Sequence, residues 1–159
     1  MILFDSQLLT WHDGLLLGHG PMDAVHEEFV ALVAALQRAP DASAAAALDA
    51  LARHTSVHFA EEEAWMNDSA FPARDCHAAE HAAVLRSLAG VRRRVAQGDN
   101  EAARRLARAL ADWLPGHAEY LDAALAHWMS TRRLGGKPVV LRRHLPVNPH
   151  AQPTSPPRC

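Results

Sequence analysis

The sequence predicts an all-α protein: an up-down-up-down antiparallel four-helix bundle with an extended N-terminal arm and a proline-rich C-terminal tail. Three observations carry this expectation. Alanine and leucine far outnumber the β-branched and aromatic residues that strands favour. Apolar residues recur at helical spacing from Met22 onward. Pro40, Pro72 and Gly98 then divide that periodic span into four segments of comparable length, and short connections favour antiparallel neighbours. At 159 residues the chain can bury one core but not two substantial ones, so a single bundle is expected over 1–134, arm included, with an irregular tail over 135–159.

Residues 1–20 show no sustained period and end in Gly18 and Gly20, which reads as an arm leading to a helix start. Pro21 suits the first turn of the first helix, where its missing N–H costs nothing. In MDAVHEEFVALVAALQRA, Met22, Val25, Phe29, Leu32, Val33 and Leu36 share one face, and Pro40 ends the run. Asp41 and Ser43 are both candidate N-caps for an alanine-rich second helix reaching to about Asn67. The third helix is expected from about Ala73 to Gln97, with Gly98 as a left-handed stop. Asp99 and Asn100 cap a fourth that runs to Gly135 and Gly136. The remainder, rich in proline, lacks helical periodicity.

The net charge is −2, and arginines are interspersed with acids, so no basic stripe marks a nucleic-acid partner. No run approaches a membrane span, and an acid stands where a signal peptide needs a basic region. Two cysteines, Cys76 and Cys159, are too few for a disulfide framework and form no CxxC pair. A cytoplasmic protein with no membrane association is therefore expected. No signalling domain accompanies the bundle within these residues, so any sensing would run through a separate partner.

Eleven histidines are the unusual entry in this composition. His58 and Glu62, four apart, project from one face of the second helix, and His77 and His81 do the same on the third. One such pair arises easily by chance on a histidine-rich helix; two on successive helices are better evidence. His26 lies inside the apolar seam of Val25, Phe29 and Val33, and His117 and Asp122 lie amid Trp113, Leu114, Leu121 and Leu125. In an antiparallel bundle the levels of His26, His58, Glu62, His77 and His81 overlap; those of His117 and Asp122 fit only if the last helix runs past the bundle. Five imidazoles and two carboxylates exceed what one first-row ion needs, which points to a dinuclear site.

His117 and Asp122 are five apart, a spacing that leaves them about 140° apart on a regular helix. Pro115 deletes the hydrogen bond from its nitrogen to Ala111. The sequence therefore predicts a kink or π-bulge within 111–122, which would realign the two side chains.

MDAVHEEF, HFAEEEAWM, HAAEH and WLPGHAEYLD, one from each helix, closely resemble the four ligand motifs of hemerythrins, specifically the bacterial hemerythrin-like proteins of the HHE cation-binding family. The resemblance spans roughly 11–132, with all seven ligand types in order. It implies two non-heme iron ions, one held by His77, His81 and His117 and the other by His26 and His58, bridged by Glu62, Asp122 and an oxo or hydroxo group. It implies reversible dioxygen binding, for storage, delivery or oxygen sensing, at an open position on the two-histidine iron. Two alternatives stand beside this reading: a di-iron enzyme reducing nitric oxide or peroxide, and an iron- or oxygen-responsive interaction module. A monomer is expected, with the C-terminal tail as the surface for a protein partner.

His54 stands where the resemblance leads one to expect tyrosine and is a candidate to face the site from one turn away. His12, His19, His127, His144 and His150 are expected at the surface or hydrogen-bonded, with His19 near the site's mouth. Cys76 is expected to be a small buried hydrophobe. Glu61 and Glu63 flank Glu62 by about 100° on either side and should be solvated or paired at the surface. Phe59, Trp65, Met66, Trp113 and Leu114 are expected to form an apolar wall around the site.

Overall fold

The computed structural model describes residues 8–133 and Gly135. The tail from 136 on, with His144, His150 and Cys159, lies outside the described residues, so the expectations placed there are not addressed by it.

Four principal helices form the expected bundle: α1 (Gly20–Arg38), α2 (Asp41–Asp68), α3 (Arg74–Ala96) and α4 (Asn100–His117). A single π-helical turn, Ala118–Asp122, joins α4 to a last helix, α5 (Ala123–Arg133). α1 packs against α2 and α4, and α3 against the same two, the square arrangement of an up-down-up-down bundle.

The punctuation works largely by the expected chemistry. Pro21 sits in the first turn of α1, Gly98 stops α3 with a φ of +94°, and the Asp99 side chain accepts the Ala102 N–H at 3.1 Å to cap α4. The start of α2 differs. Pro40 is its N-cap residue and neither Asp41 nor Ser43 caps the helix, because Asp41 already belongs to the first turn. Its carboxylate instead receives Arg104 from α4 at 2.9 Å, while the Ser43 hydroxyl donates to the Pro40 carbonyl at 3.3 Å.

The arm runs along α1 in the opposite direction. Leu9 N–H donates to Gln37 at the end of α1, and the Leu17 and Gly18 N–H groups both donate to Asp23 at its start, at 2.7 and 3.0 Å. Between them a single 3-10 turn, Asp13–Leu15, buries Leu15. The arm thus contributes apolar side chains to the bundle at both ends.

Two apolar clusters result. The larger holds Phe29, Val33, Leu48, Phe59, Val84, Leu110 and Leu114; the smaller holds Leu17, Met22, Met66, Phe71, Leu125 and Ala126. The Trp128 indole N–H donates to Ser69, tying α5 to the α2–α3 turn and closing the smaller cluster. On α1, on α2 and on the run from α4 to α5 the residues of the two clusters bracket the same level: Met22 and Phe29 around His26, Phe59 and Met66 around Glu62, Leu114 and Leu125 around Asp122. A polar group placed there has dry walls above and below.

Candidate metal centre

The local sequence explains how each side chain reaches that level. His58 and Glu62, and His77 and His81, lie one turn apart on the inner faces of α2 and α3, and all four are buried. His26 enters from the first turns of α1. His117 and Asp122 need the π turn: the Ala123 N–H bonds to the Ala118 carbonyl five residues back, and this extra residue per turn brings positions five apart onto one face. The distortion predicted between 111 and 122 is thus present, immediately after the turn that Pro115 deprives of its N–H.

All seven predicted side chains come together, each no more than 4 % exposed. Ligand-type atoms of Glu62, His77, His81, His117 and Asp122 lie within 4.8 Å of one another, as do those of His26, His58 and Glu62. Glu62 belongs to both groups. Its oxygens stand 2.7 Å from His58, 3.1 Å from His81, 3.4 Å from His77 and 3.5 Å from His26. Asp122 also reaches both sides, with His77, His117 and His26 at 3.0, 3.1 and 3.1 Å.

These short distances are mostly not directed hydrogen bonds. The Nε2 atoms of His26, His77, His81 and His117, Oε2 of Glu62 and both oxygens of Asp122 are buried without a hydrogen-bond partner; only His58 and Glu62 meet the directional requirement. Buried polar atoms are normally satisfied, so seven orphaned donors and acceptors converging on one point call for another occupant. A cation accepts imidazole and carboxylate lone pairs without needing N–H directionality, and the mixture of nitrogen and oxygen donors suits a first-row transition ion. The residues fit a metal site.

Electrostatics agree. Burial opposes the charge on His26, yet the Asp122 and Glu62 carboxylates beside it raise it from 6.5 to about 9. His117, equally opposed by burial, is also raised to about 9, chiefly by Asp122. Burial pushes both carboxylates up, but the surrounding imidazoles hold Glu62 and Asp122 well below the usual range. His81 goes the other way, lowered because burial outweighs its contact with Glu62. His77, opposed by burial, is raised as well by Asp122 and Glu62, so protonated imidazoles offset the two carboxylates when no metal is bound. Loading a divalent metal at pH 8 must therefore expel the protons of His26 and His117. Calorimetry in buffers of different ionisation enthalpy is expected to register net proton release on metal loading; buffer-independent heats would contradict the assignment.

Aromatic side chains complete the walls. Phe59 stacks on His81, centroids 3.8 Å apart and planes at 3°, and Trp113 stacks on His117 at 4.2 Å and 29°. Leu114 is buried in the larger cluster and Met66 in the smaller, with Trp65 packed against it.

Other expectations need correction. His54 faces α1 rather than the cluster: its Nε2 is 3.0 Å from the Val25 carbonyl and its Nδ1 3.4 Å from Glu28. His19 is buried, not at the surface, its ring 5.5 Å from Trp65. Cys76 is only half-buried. Glu61 is exposed as expected, whereas Glu63 is half-buried and 3.6 Å from Nδ1 of His81. Sequence reasoning passed over Glu80, which accepts from Nδ1 of His117 at 2.8 Å; that hydrogen bond holds its carboxyl below the usual range. Glu80 stands inside HAAEH, but its partner is on another helix, so no spacing within the motif marks it.

Comparison with known proteins places this geometry. Residues 18–128 match the Hemerythrin HHE cation binding domain. Over 125 residues the chain is 41 % identical to the bacteriohemerythrin of Ralstonia nicotianae, covering 79 % of this chain and 91 % of that protein. No described helix is long and apolar enough to cross a membrane. With the domain match spanning most of the bundle and the buried histidine–carboxylate cluster at its centre, the chain belongs to the hemerythrin HHE cation-binding family.

Proposed function

We propose that this chain is a non-heme di-iron protein that binds dioxygen reversibly. The observation that carries the reading is the pair of ligand groups sharing Glu62. His77, His81 and His117 would hold one iron, His26 and His58 the other, and Glu62 and Asp122 would bridge them. The contacts of Asp122 with His77 and His117 on one side and His26 on the other support a bridging role. With both bridges and one shared oxo or hydroxo group counted, the first set offers six donors and the second five. An iron preferring six donors would keep one position open on the His26 and His58 side.

A reduced iron pair supplies the electrons and the open position that dioxygen binding requires. The protein's part is to hold the donors and exclude water. Five neutral imidazoles with two carboxylates make a less anionic set than the four carboxylates and two histidines of ferritin-like sites, which favours reversible binding over stabilisation of high oxidation states. The stacked Phe59 and Trp113 and the apolar clusters on either side keep bulk water from the centre.

The test is a cycle. The iron-loaded chain is reduced without oxygen, exposed to oxygen, then returned to an oxygen-free atmosphere while its visible spectrum is followed. A charge-transfer band that forms on exposure and disappears on oxygen removal, at two irons per chain, is the expected result. Rapid conversion to the oxidised iron pair with sustained consumption of peroxide or nitric oxide would overturn the carrier reading in favour of a redox enzyme.

A further inference from the structure

Glu80 occupies a position that the metal assignment does not use. It precedes His81 in α3, yet its side chain crosses to α4, where Oε2 accepts from Nδ1 of His117 at 2.8 Å and from the indole N–H of Trp113 at 3.3 Å. The same Trp113 ring lies against the face of His117. The imidazole is therefore held both at its outer nitrogen and across its face.

No other histidine of the cluster is hydrogen-bonded this way; the Glu63 carboxylate stands 3.6 Å from Nδ1 of His81, beyond hydrogen-bond distance. The Nδ1 atoms of His26, His58, His77 and His81 have no hydrogen-bond partner among the described residues. The difference follows the backbone. His77 and His81 project from a regular helix, whereas His117 sits between Pro115 and the π turn, where the hydrogen-bond ladder is interrupted. A ligand on such a segment needs an anchor from another element.

We propose that Glu80 is the positioning residue for His117: its carboxylate keeps the imidazole in the Nδ1–H form, so that Nε2 presents its lone pair to the metal, and makes the ring a stronger donor. The general chemistry is that of a carboxylate behind a metal-bound histidine, which fixes tautomer and orientation and raises ligand basicity. This inference rests on the reading of the cluster as a metal centre. It adds an asymmetry: only the three-histidine iron receives a carboxylate-backed ligand, so that iron should be the more readily held in the ferric state.

Two variants test it. In Glu80→Ala the acceptor is gone; zinc affinity, measured against a competing chelator, should fall by about 10- to 100-fold. The Nδ1 proton resonance of His117 in the zinc-loaded protein should move upfield or vanish. In Glu80→Gln the amide oxygen can still accept, so most of the affinity and the resonance should remain. The negative charge is lost, however, and the midpoint potential of the iron-loaded protein should rise. In the metal-free protein Glu80→Ala leaves the buried Nδ1–H of His117 without its acceptor and should melt lower, whereas Glu80→Gln, which still accepts, should melt close to the parent. Parent-like zinc affinity in Glu80→Ala together with an unmoved potential in Glu80→Gln would overturn the role of Glu80. A parent chain that takes up neither zinc nor iron would instead overturn the metal-centre reading, and that measurement is independent of either variant.

Discussion

Glu62→Ala is expected to leave at most one metal ion per chain. Among the described residues Glu62 alone belongs to both ligand groups, so its removal takes a donor from each and the bridge between them. Asp122→Ala should have the same effect on stoichiometry, because its oxygens reach His77 and His117 on one side and His26 on the other, and retention of two irons in either variant, counted by elemental analysis, would refute the bridging assignment. The metal-free protein should suffer as well. Removing one partner from a buried charged set costs about 3–5 kcal/mol, and Glu62 faces four histidines in a fully buried site. The imidazoles can escape part of this cost by losing protons, which gives the loss a pH signature.

The sign is as follows. In the metal-free parent, His26 and His117 are raised from 6.5 to about 9, so their stabilising contribution is complete below 6.5 and fades as pH climbs through 9. Glu62 and Asp122 are depressed from 4.5 and 3.8, so their contribution is present above those values and fades on acidification. His81, lowered by burial, subtracts stability below 6.5, so metal-free stability should peak near pH 6.5. In Glu62→Ala the alkaline decline should be shallower, because less of the histidine shift remains to be lost. Urea denaturation from about pH 4 to pH 9 measures both effects.

The second large effect is expected at Phe59→Ala. The ring is 2 % exposed and lies flat on His81. Large-to-small substitution of a buried phenylalanine costs about 3–5 kcal/mol, which in a chain of this size lowers the melting temperature by on the order of 10 °C. The cavity would open beside a proposed ligand, so irreversible oxidation of the iron-loaded protein should also accelerate. Phe59→Leu separates the two consequences: it restores most of the volume but not the flat contact. Faster oxidation in Phe59→Ala than in Phe59→Leu would identify water access as the cause; equal rates in the two would point to the lost stack on His81.

Much of this architecture is legible in the residues alone, and the reasons are local. Pro21, Gly98 and Asp99 act on their own backbone, so their effects can be read from their neighbours. His58 with Glu62, and His77 with His81, declare a shared face by spacing. Pro115 and the five-residue interval from His117 to Asp122 together require the bulge that the structure contains. What escapes such reading is settled between helices. Asp41 looks like a cap until Arg104 arrives from α4, and Glu80 looks like a solvated charge until His117 and Trp113 do. His54 shares a helix face with His58, yet the nearby α1 backbone and Glu28 claim its nitrogens. His19 gives no periodic signal because it lies at the end of an irregular arm, and packing against Trp65 buries it.

The π turn also shifts the phase of everything that follows it. In α4 the inward positions Ala103, Leu110 and His117 recur every seven residues, as do Ala107 and Leu114. Continued without interruption, those two rows would reach Ala124 and Leu121; the buried residues are instead Leu125 and Asp122, each one place late. Residues 100–133 thus follow two helical frames joined by a one-residue slip, and the slip puts a carboxylate where an unbroken stripe would have put a leucine.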